Sequence, residues 1–246
     1  GAGLVRIYTE ESNRAILQEL LPEAVMTTYS LDETESFEEL PDLLEWADVL
    51  CIGCGLGMGP HSEELLKKVL ENNKTPAVID ADGLNLLAKT DEWGIEQIRM
   101  NPSGYVLTPH MKEMSRLTGW SIDTIMEDRF QALDQIIKQS GPDTKSSIIC
   151  VLKDSRTVVA QTNRQRFVNL AGNNSMAKGG SGDVLAGTIA GLLAQHMAPF
   201  EATTVGVFLH ACGGDEAKKS KGSYSVLARD LIQGMADAMK NAKECR

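Results

Sequence analysis

Short apolar runs alternate along this chain with stretches of helical period, and the runs end in glycine, aspartate, proline or lysine. That alternation is the strongest constraint on the fold. Ala47-Asp48-Val49-Leu50-Cys51-Ile52 reads as a buried strand that enters a glycine loop, then a helix with His61-Ser62 near its start and Glu63-Glu64 in its first turn. Pro76-Ala77-Val78-Ile79-Asp80, Tyr105-Val106-Leu107-Thr108 and Ser147-Ile148-Ile149-Cys150-Val151-Leu152 read as further strands. Helices are predicted from residue 84, after Pro109-His110, and over residues 121–139. Residues 157–160 and 166–168 have the look of a hairpin. An apolar helix from Asp183 follows, then two more around residues 201–217 and 226–242. Such a pattern specifies an α/β chain with a mostly parallel sheet covered by helices on both faces. Ligands of such sheets sit beyond the carboxyl ends of the strands. Residues 53–59, Asp80, Asp82, His110 and Lys153 all follow strands, so they are expected on one rim.

The 246 residues are enough for a full core in one domain, and a composition of 42% hydrophobic and 24% charged residues excludes disorder. A net charge of −10 argues against nucleic acid or an anionic membrane as partner, because either requires a basic footprint. Five scattered cysteines make no disulfide framework. Cys51 and Cys54 form a lone CxxC, with no second pair at zinc spacing, and fit a reduced cytoplasmic protein. The longest apolar run, residues 184–194, is shorter than the roughly 20 residues that cross a bilayer. Its Gly187-x-x-x-Gly191 is read as close packing of a buried helix on a sheet.

Gly179-Gly180-Ser181-Gly182-Asp183 carries the chemistry. Glycines at a helix start leave backbone N–H groups open to an anion, and the helix dipole adds positive potential. The same end favours ionised Asp183, which can take a proton from an attacking hydroxyl. The plainer alternative is a turn with a capping aspartate. Two nucleotide motifs are absent: residues 172–178 do not make a P-loop, and the glycine required five places after Gly53 is Met58. Gly53, Gly55, Gly57 and Gly59 allow a ligand to approach the backbone, or simply turn the chain. Lys153-Asp154-Ser155-Arg156-Thr157 could meet phosphates or be a solvated turn. Asp80 and Asp82 could hold Mg²⁺ through water or serve turn chemistry.

Taken together, Gly55-Leu56-Gly57, Val78-Ile79-Asp80-Ala81-Asp82-Gly83-Leu84-Asn85, Leu107-Thr108-Pro109-His110 with Glu113, Val151-Leu152-Lys153, the block over residues 172–187, and Gly206-Val207-Phe208-Leu209-His210 resemble the ADP-dependent NAD(P)H-hydrate dehydratase family. The resemblance spans the chain and implies a single ribokinase-like domain over residues 1–246. It implies a carbon–oxygen lyase that repairs hydrated NADH or NADPH by phosphoryl transfer from ADP or ATP to the ring hydroxyl, followed by loss of phosphate. Asp183 would be the base, and Gly179, Gly180, Ser181 and Gly182 the anion hole. Gly57 and His110 would contact the coenzyme, with Gly182, Lys153, Asp154, Ser155, Arg156 and Thr157 on the adenine nucleotide. Mg²⁺ would neutralise charge, and a homo-oligomer is expected. Two departures are visible. Asp154 stands where the family has glycine, and the chain opens at a point resembling the end of the family's first helix, so its usual first strand and the occasional epimerase domain are expected to be missing. The competing readings are a vitamin-precursor kinase of the same fold and a nucleotide-binding module without turnover.

Overall fold

A computed structural model describes residues 1–31, 37–90, 94–100, 104–138, 147–162 and 165–244. The chain opens with strand β1 (Arg6–Glu10), helix α1 (Arg14–Leu20), strand β2 (Val25–Tyr29) and helix α2 (Leu40–Trp46). Then β3 (Leu50–Ile52), α3 (Pro60–Asn72), β4 (Ala77–Ile79), α4 (Asp82–Lys89), α5 (Ile95–Met100), β5 (Tyr105–Leu107) and α6 (Met111–Thr118) follow in strand–helix alternation. Next come α7 (Ile122–Glu127), α8 (Arg129–Ile137), β6 (Ile148–Leu152) and the hairpin β7 (Val158–Gln161) and β8 (Arg166–Val168). Helices α9 (Ser181–Leu193), α10 (Pro199–Lys221) and α11 (Ala228–Glu244) close the described chain.

Strands β3 to β8 form one sheet in chain order, with β3, β4, β5 and β6 parallel and β7 and β8 antiparallel. The alternation of side chains along a strand sorts the core into two layers. Ile79, Tyr105, Leu107, Ile148, Cys150 and Leu152 face the layer of α3 to α8. Val78, Val106, Ile149, Val151 and Val159 face Leu185, Ala186, Ile189 and Leu193 of α9 and Val207 of α10. Burial of each such aliphatic side chain stabilises the fold by roughly 1.5–3 kcal/mol, which is why these strands read as continuous apolar runs. The parallel pair β1–β2 forms a second, separate sheet. A cleft of about 1110 Å³ is lined by Val5 and Tyr8 on its side and by Leu50 and Cys51 of β3 on the other.

Three expectations are corrected. The helix predicted over residues 121–139 breaks at Asp128, whose φ of −142° and ψ of 88° are not helical and whose carboxylate accepts the Gln131 N–H to start α8; residue 139 lies outside the described residues, as does Cys245. The apolar helix begins at Ser181 rather than Asp183, which places Asp183 inside the first turn. Gly187 and Gly191 do not pack on the sheet: both line the cleft, and a Cβ added at either meets nothing within 4 Å. Among the described residues, no helix is long and apolar enough to cross a membrane.

Candidate functional site

The glycine loop after β3 is clamped to the turn after β4. Asp80 N–H donates to Ile52 O at 3.1 Å, and Gly83 N–H to Asp80 O at 3.0 Å. Gly53 sits at φ 118°, and a Cβ there would lie 1.9 Å from the Asp80 carbonyl oxygen, so only glycine fits. Gly57 N–H donates to Asp82 Oδ2 at 2.9 Å. Asp82 is therefore a fastener for the glycine loop, in keeping with the turn reading of that residue. Between the two aspartates, Ala81 holds φ 50° and ψ −120°, a backbone conformation costing on the order of 1–3 kcal/mol for a residue with a Cβ.

Asp80 itself is buried, and Lys153 Nζ stands 2.6 Å from its Oδ1. The other oxygen, Oδ2, is buried without a hydrogen-bond partner. Lys153 reaches this position because its backbone continues the β5–β6 register three residues beyond the Leu107–Cys150 pair: its N–H donates to Pro109 O at 2.8 Å, opposite His110. His110 begins α6 with a reciprocal cap. Its Nδ1 accepts from the N–H groups of Lys112 and Glu113, both at 3.1 Å, and its own N–H donates to Glu113 Oε2 at 2.8 Å. Burial pushes the Glu113 carboxyl above its ordinary range, against the His110 N–H and the Lys153 ammonium, 3.9 Å away, which pull it down. In the sequence Glu113 stands only as part of a motif. Its three-residue spacing from a residue that can accept at a helix start was the available signal for this role.

Helix α9 supplies the glycine-rich helix start. Gly180 caps it in the left-handed region at φ 86°, where the chain turns most easily without a Cβ. The N–H groups of Gly182 and Asp183 lie in the first turn, where an α-helix offers its donors no intrahelical acceptor. A Cβ on Gly182 would sit 3.2 Å from Lys153 Nζ and 3.3 Å from Asp80 Oδ2, so the helix start is pressed against the ion pair. Asp183 is exposed, and its carboxylate, the Asp80 carboxylate and the Cys54 sulfur each offer one atom within 4.8 Å of the other two. The hydrogen bond that the Cys54 thiol donates to Cys51 pushes it upward most, followed by burial and by the negative charge of Cys51, Asp183 and Asp80.

Two supports have roles the sequence does not show: His210, visible there only at the end of a family stretch, and Asp215. His210 of α10 is buried against α9 and hydrogen-bonded to the Ser181 backbone; burial pushes its pKa down to about 4, with Lys153 adding to the effect and the Ser181 bond opposing it. Asp215, one turn further along α10, accepts from Gly172 N–H at 3.1 Å and from Asn173 Nδ2 at 2.7 Å. It thereby anchors the loop leading to Gly179. Of the Lys153–Thr157 turn, Lys153 alone joins the Asp80 cluster. Asp154 pairs with Arg129 Nη2 of α8 at 2.7 Å, a use for aspartate that glycine could not serve, while Ser155 and Arg156 are exposed.

The site thus joins a glycine-rich helix start, an adjacent carboxylate and the pair of buried Asp80 with half-buried Lys153 on the carboxyl rim of a parallel sheet. The sequence pattern of the NAD(P)H-hydrate dehydratase family matches residues 1–236. This chain belongs to that family. The family's bifunctional NAD(P)H-hydrate repair enzyme from Moorella thermoacetica is 36% identical over 251 aligned positions, an alignment that covers 99% of this chain and 45% of that protein. The chain spans less than half the length of that curated relative. The structure is similar to the ADP/ATP-dependent NAD(P)H-hydrate dehydratase of Bacillus subtilis, co-crystallised with ATP/Mg²⁺, with a TM-score of 0.80 and 26% identity, covering 98% of this chain and 80% of that one. It also resembles a ribokinase-like superfamily protein of Enterococcus faecalis, with a TM-score of 0.79 and 30% identity over 98% and 78% of the two chains. The NAD(P)H-hydrate dehydratase family therefore appears here on a ribokinase-like fold, a mostly parallel sheet flanked by helices.

Proposed function

We propose that the chain forms a dehydratase domain over residues 1–246 that restores hydrated NADH or NADPH at the expense of ADP or ATP. Asp183 accepts the proton of the ring hydroxyl, whose oxygen takes the terminal phosphoryl group of the nucleotide. The phosphate then leaves with its C–O bond, the neighbouring ring carbon gives up a proton, and the reduced nicotinamide is regenerated. With ADP the products are AMP, phosphate and the coenzyme. Gly179, Gly180 and Gly182 receive the moving phosphoryl group on backbone N–H groups that are in place before the charge develops, whereas the Ser181 N–H, expected in the same hole, donates to Lys178 O at 3.2 Å and holds the turn. Gly57 and His110 contact the coenzyme. Lys153, Ser155, Arg156 and Thr157 lie on the nucleotide side with Gly182, and Asp154 orders that turn through Arg129.

One observation carries this reading: the Asp183 carboxylate stands in the first turn of α9, beside the hole it would serve and next to the Asp80–Lys153 pair. The unpartnered Asp80 Oδ2 and the Asp183 carboxylate are oxygen donors that suit a hydrated Mg²⁺ brought by the nucleotide. Such an ion supplies charge neutralisation on the phosphates. We place the enzyme in the cytoplasm as a homo-oligomer, a state that sedimentation of the purified protein reads directly.

The test mixes the protein, Mg²⁺ and hydrated NADH with ADP, and separately with ATP, and follows the near-ultraviolet absorbance of the reduced nicotinamide. A rise only with nucleotide supports the dehydratase and names the donor. No rise, with thermal stability still raised by nucleotide, points to a vitamin-precursor kinase or to a binding module without turnover, and a phosphorylated small-molecule product separates those two.

A further inference from the structure

We propose that Cys54, Asp80 and Asp183 form a binding site for a thiophilic divalent cation of the Zn²⁺ class. One sulfur and two carboxylates, from three separate elements, place their ligand atoms within 4.8 Å of one another. Zn–S distances of about 2.3 Å and Zn–O distances of about 2.1 Å set ligand atoms roughly 3.5 Å apart around a tetrahedral ion, so the side chains close by at most about 1.3 Å.

A second observation is independent of the spacing. Asp80 is 1% exposed, yet its Oδ2 has no hydrogen-bond partner. A buried carboxylate oxygen without a donor is a costly feature that a cation relieves. Its direction is fixed from behind, because Lys153 holds Oδ1 at 2.6 Å and turns Oδ2 toward the start of α9, 3.3 Å from the Cβ position of Gly182. Orientation of a ligating carboxylate by a second partner is what metal sites commonly use.

Cys54 is held to the site by its neighbour: the close approach of Gly53 to the Asp80 carbonyl leaves that sulfur beside the Asp80 carboxylate. A thiolate ligand selects Zn²⁺ and similar soft or borderline ions over Mg²⁺. Binding exchanges the thiol proton for the metal and releases that proton to solvent. Three protein ligands with both Cys54 and Asp183 exposed leave a position open to water, so the ion exchanges readily. While it is bound, the Asp183 carboxylate is engaged; if Asp183 is the base of the proposed dehydration, the ion is a reversible inhibitor. The binding itself does not depend on that reading.

Cobalt is the probe. Titration of the purified full chain with Co²⁺ is expected to saturate at one equivalent with a thiolate-to-cobalt charge-transfer band, which Zn²⁺ abolishes and Mg²⁺ at the same concentration does not. Cys54→Ser is expected to remove the band and Cys51→Ser to retain it. Asp183→Asn, exposed and folded by thermal denaturation, should weaken Co²⁺ by about tenfold or more while the band persists at saturation. A wild-type protein that binds cobalt without the band, or a band that survives Cys54→Ser, overturns the proposal. The spectrum requires no turnover, so a chain inactive as a dehydratase that shows the band leaves this site standing.

Discussion

Lys153 Nζ lies 2.6 Å from Asp80 Oδ1, joining residues 73 positions apart across the carboxyl ends of β4 and β6. The pair sits beneath the start of α9, and Glu113 completes the cluster 3.9 Å from the same ammonium. An aspartate this deeply buried depends on its one cation.

Lys153→Met should accordingly be severe. It leaves the Asp80 carboxylate uncompensated, at a cost of about 3–5 kcal/mol. Chemical denaturation of Lys153→Met and of the double variant with Asp80→Asn checks this, since the double variant should recover a large part of the loss. Equal stability of the single and double variants would speak against the pair.

Gly53→Ala is expected to destabilise the chain by at least about 3 kcal/mol, because the added Cβ meets the Asp80 carbonyl and the backbone is already in the left-handed region. The same change at Gly59, the N-cap of α3, where an added Cβ meets nothing within 4 Å, should cost no more than about 1 kcal/mol. Thermal melting of the two variants side by side reads the difference.

His110 carries two roles that substitution can separate. His110→Ala removes the cap of α6 and should cost about 1 kcal/mol, whereas asparagine, a good helix cap, should restore stability. If His110 also contacts the coenzyme, His110→Asn regains stability but keeps a raised KM for hydrated NADH. Full recovery of both would leave the residue with capping alone.

Burial holds His210 near pKa 4 in the folded chain, against 6.5 when it is unfolded. Below pH 6.5 the unfolded chain binds a proton that the folded chain refuses. The contribution of this group to stability is therefore full above pH 6.5, falls as the pH drops toward 4, and levels off below. The loss is on the order of 3 kcal/mol. Urea midpoints measured across that window should slope for the wild type and slope less for His210→Gln; parallel profiles would refute the assignment.

Asp183→Asn removes a proton acceptor with little change in volume. Nucleotide should still raise the melting temperature, while turnover falls by about 10²–10⁴-fold. Near-wild-type turnover in this variant would falsify the catalytic assignment.

Much of the scaffold was legible because each strand carries its own signal. Val78-Ile79, Val106-Leu107 and Ile149-Cys150-Val151 are apolar on both faces, the pattern of parallel strands sandwiched between helices. The glycine block before Asp183 likewise announces a helix start that can receive an anion. The break at Asp128 was harder to place, since the apolar period runs on through it and the break rests on a local cap. Asp154 could not be interpreted from its neighbours in sequence, because its partner Arg129 comes from another element. The roles of His210 and Asp215 were hidden for the same reason: each supports a helix start or loop from a different element, α10.

The sequence by itself determined the alternation of elements, the two-faced core and the residues that end each strand on the rim, because these follow from local period and from backbone chemistry. Only the tertiary structure decided which of the two rim aspartates is a fastener and which is an ion-pair partner. Asp82 is taken by the Gly57 N–H, and Asp80 by Lys153 with one oxygen left over beside Cys54 and Asp183. The two aspartates are adjacent to the same alanine and chemically identical. What separates their roles is the direction each side chain takes from a strained turn, and that direction is set by groups far away in the chain.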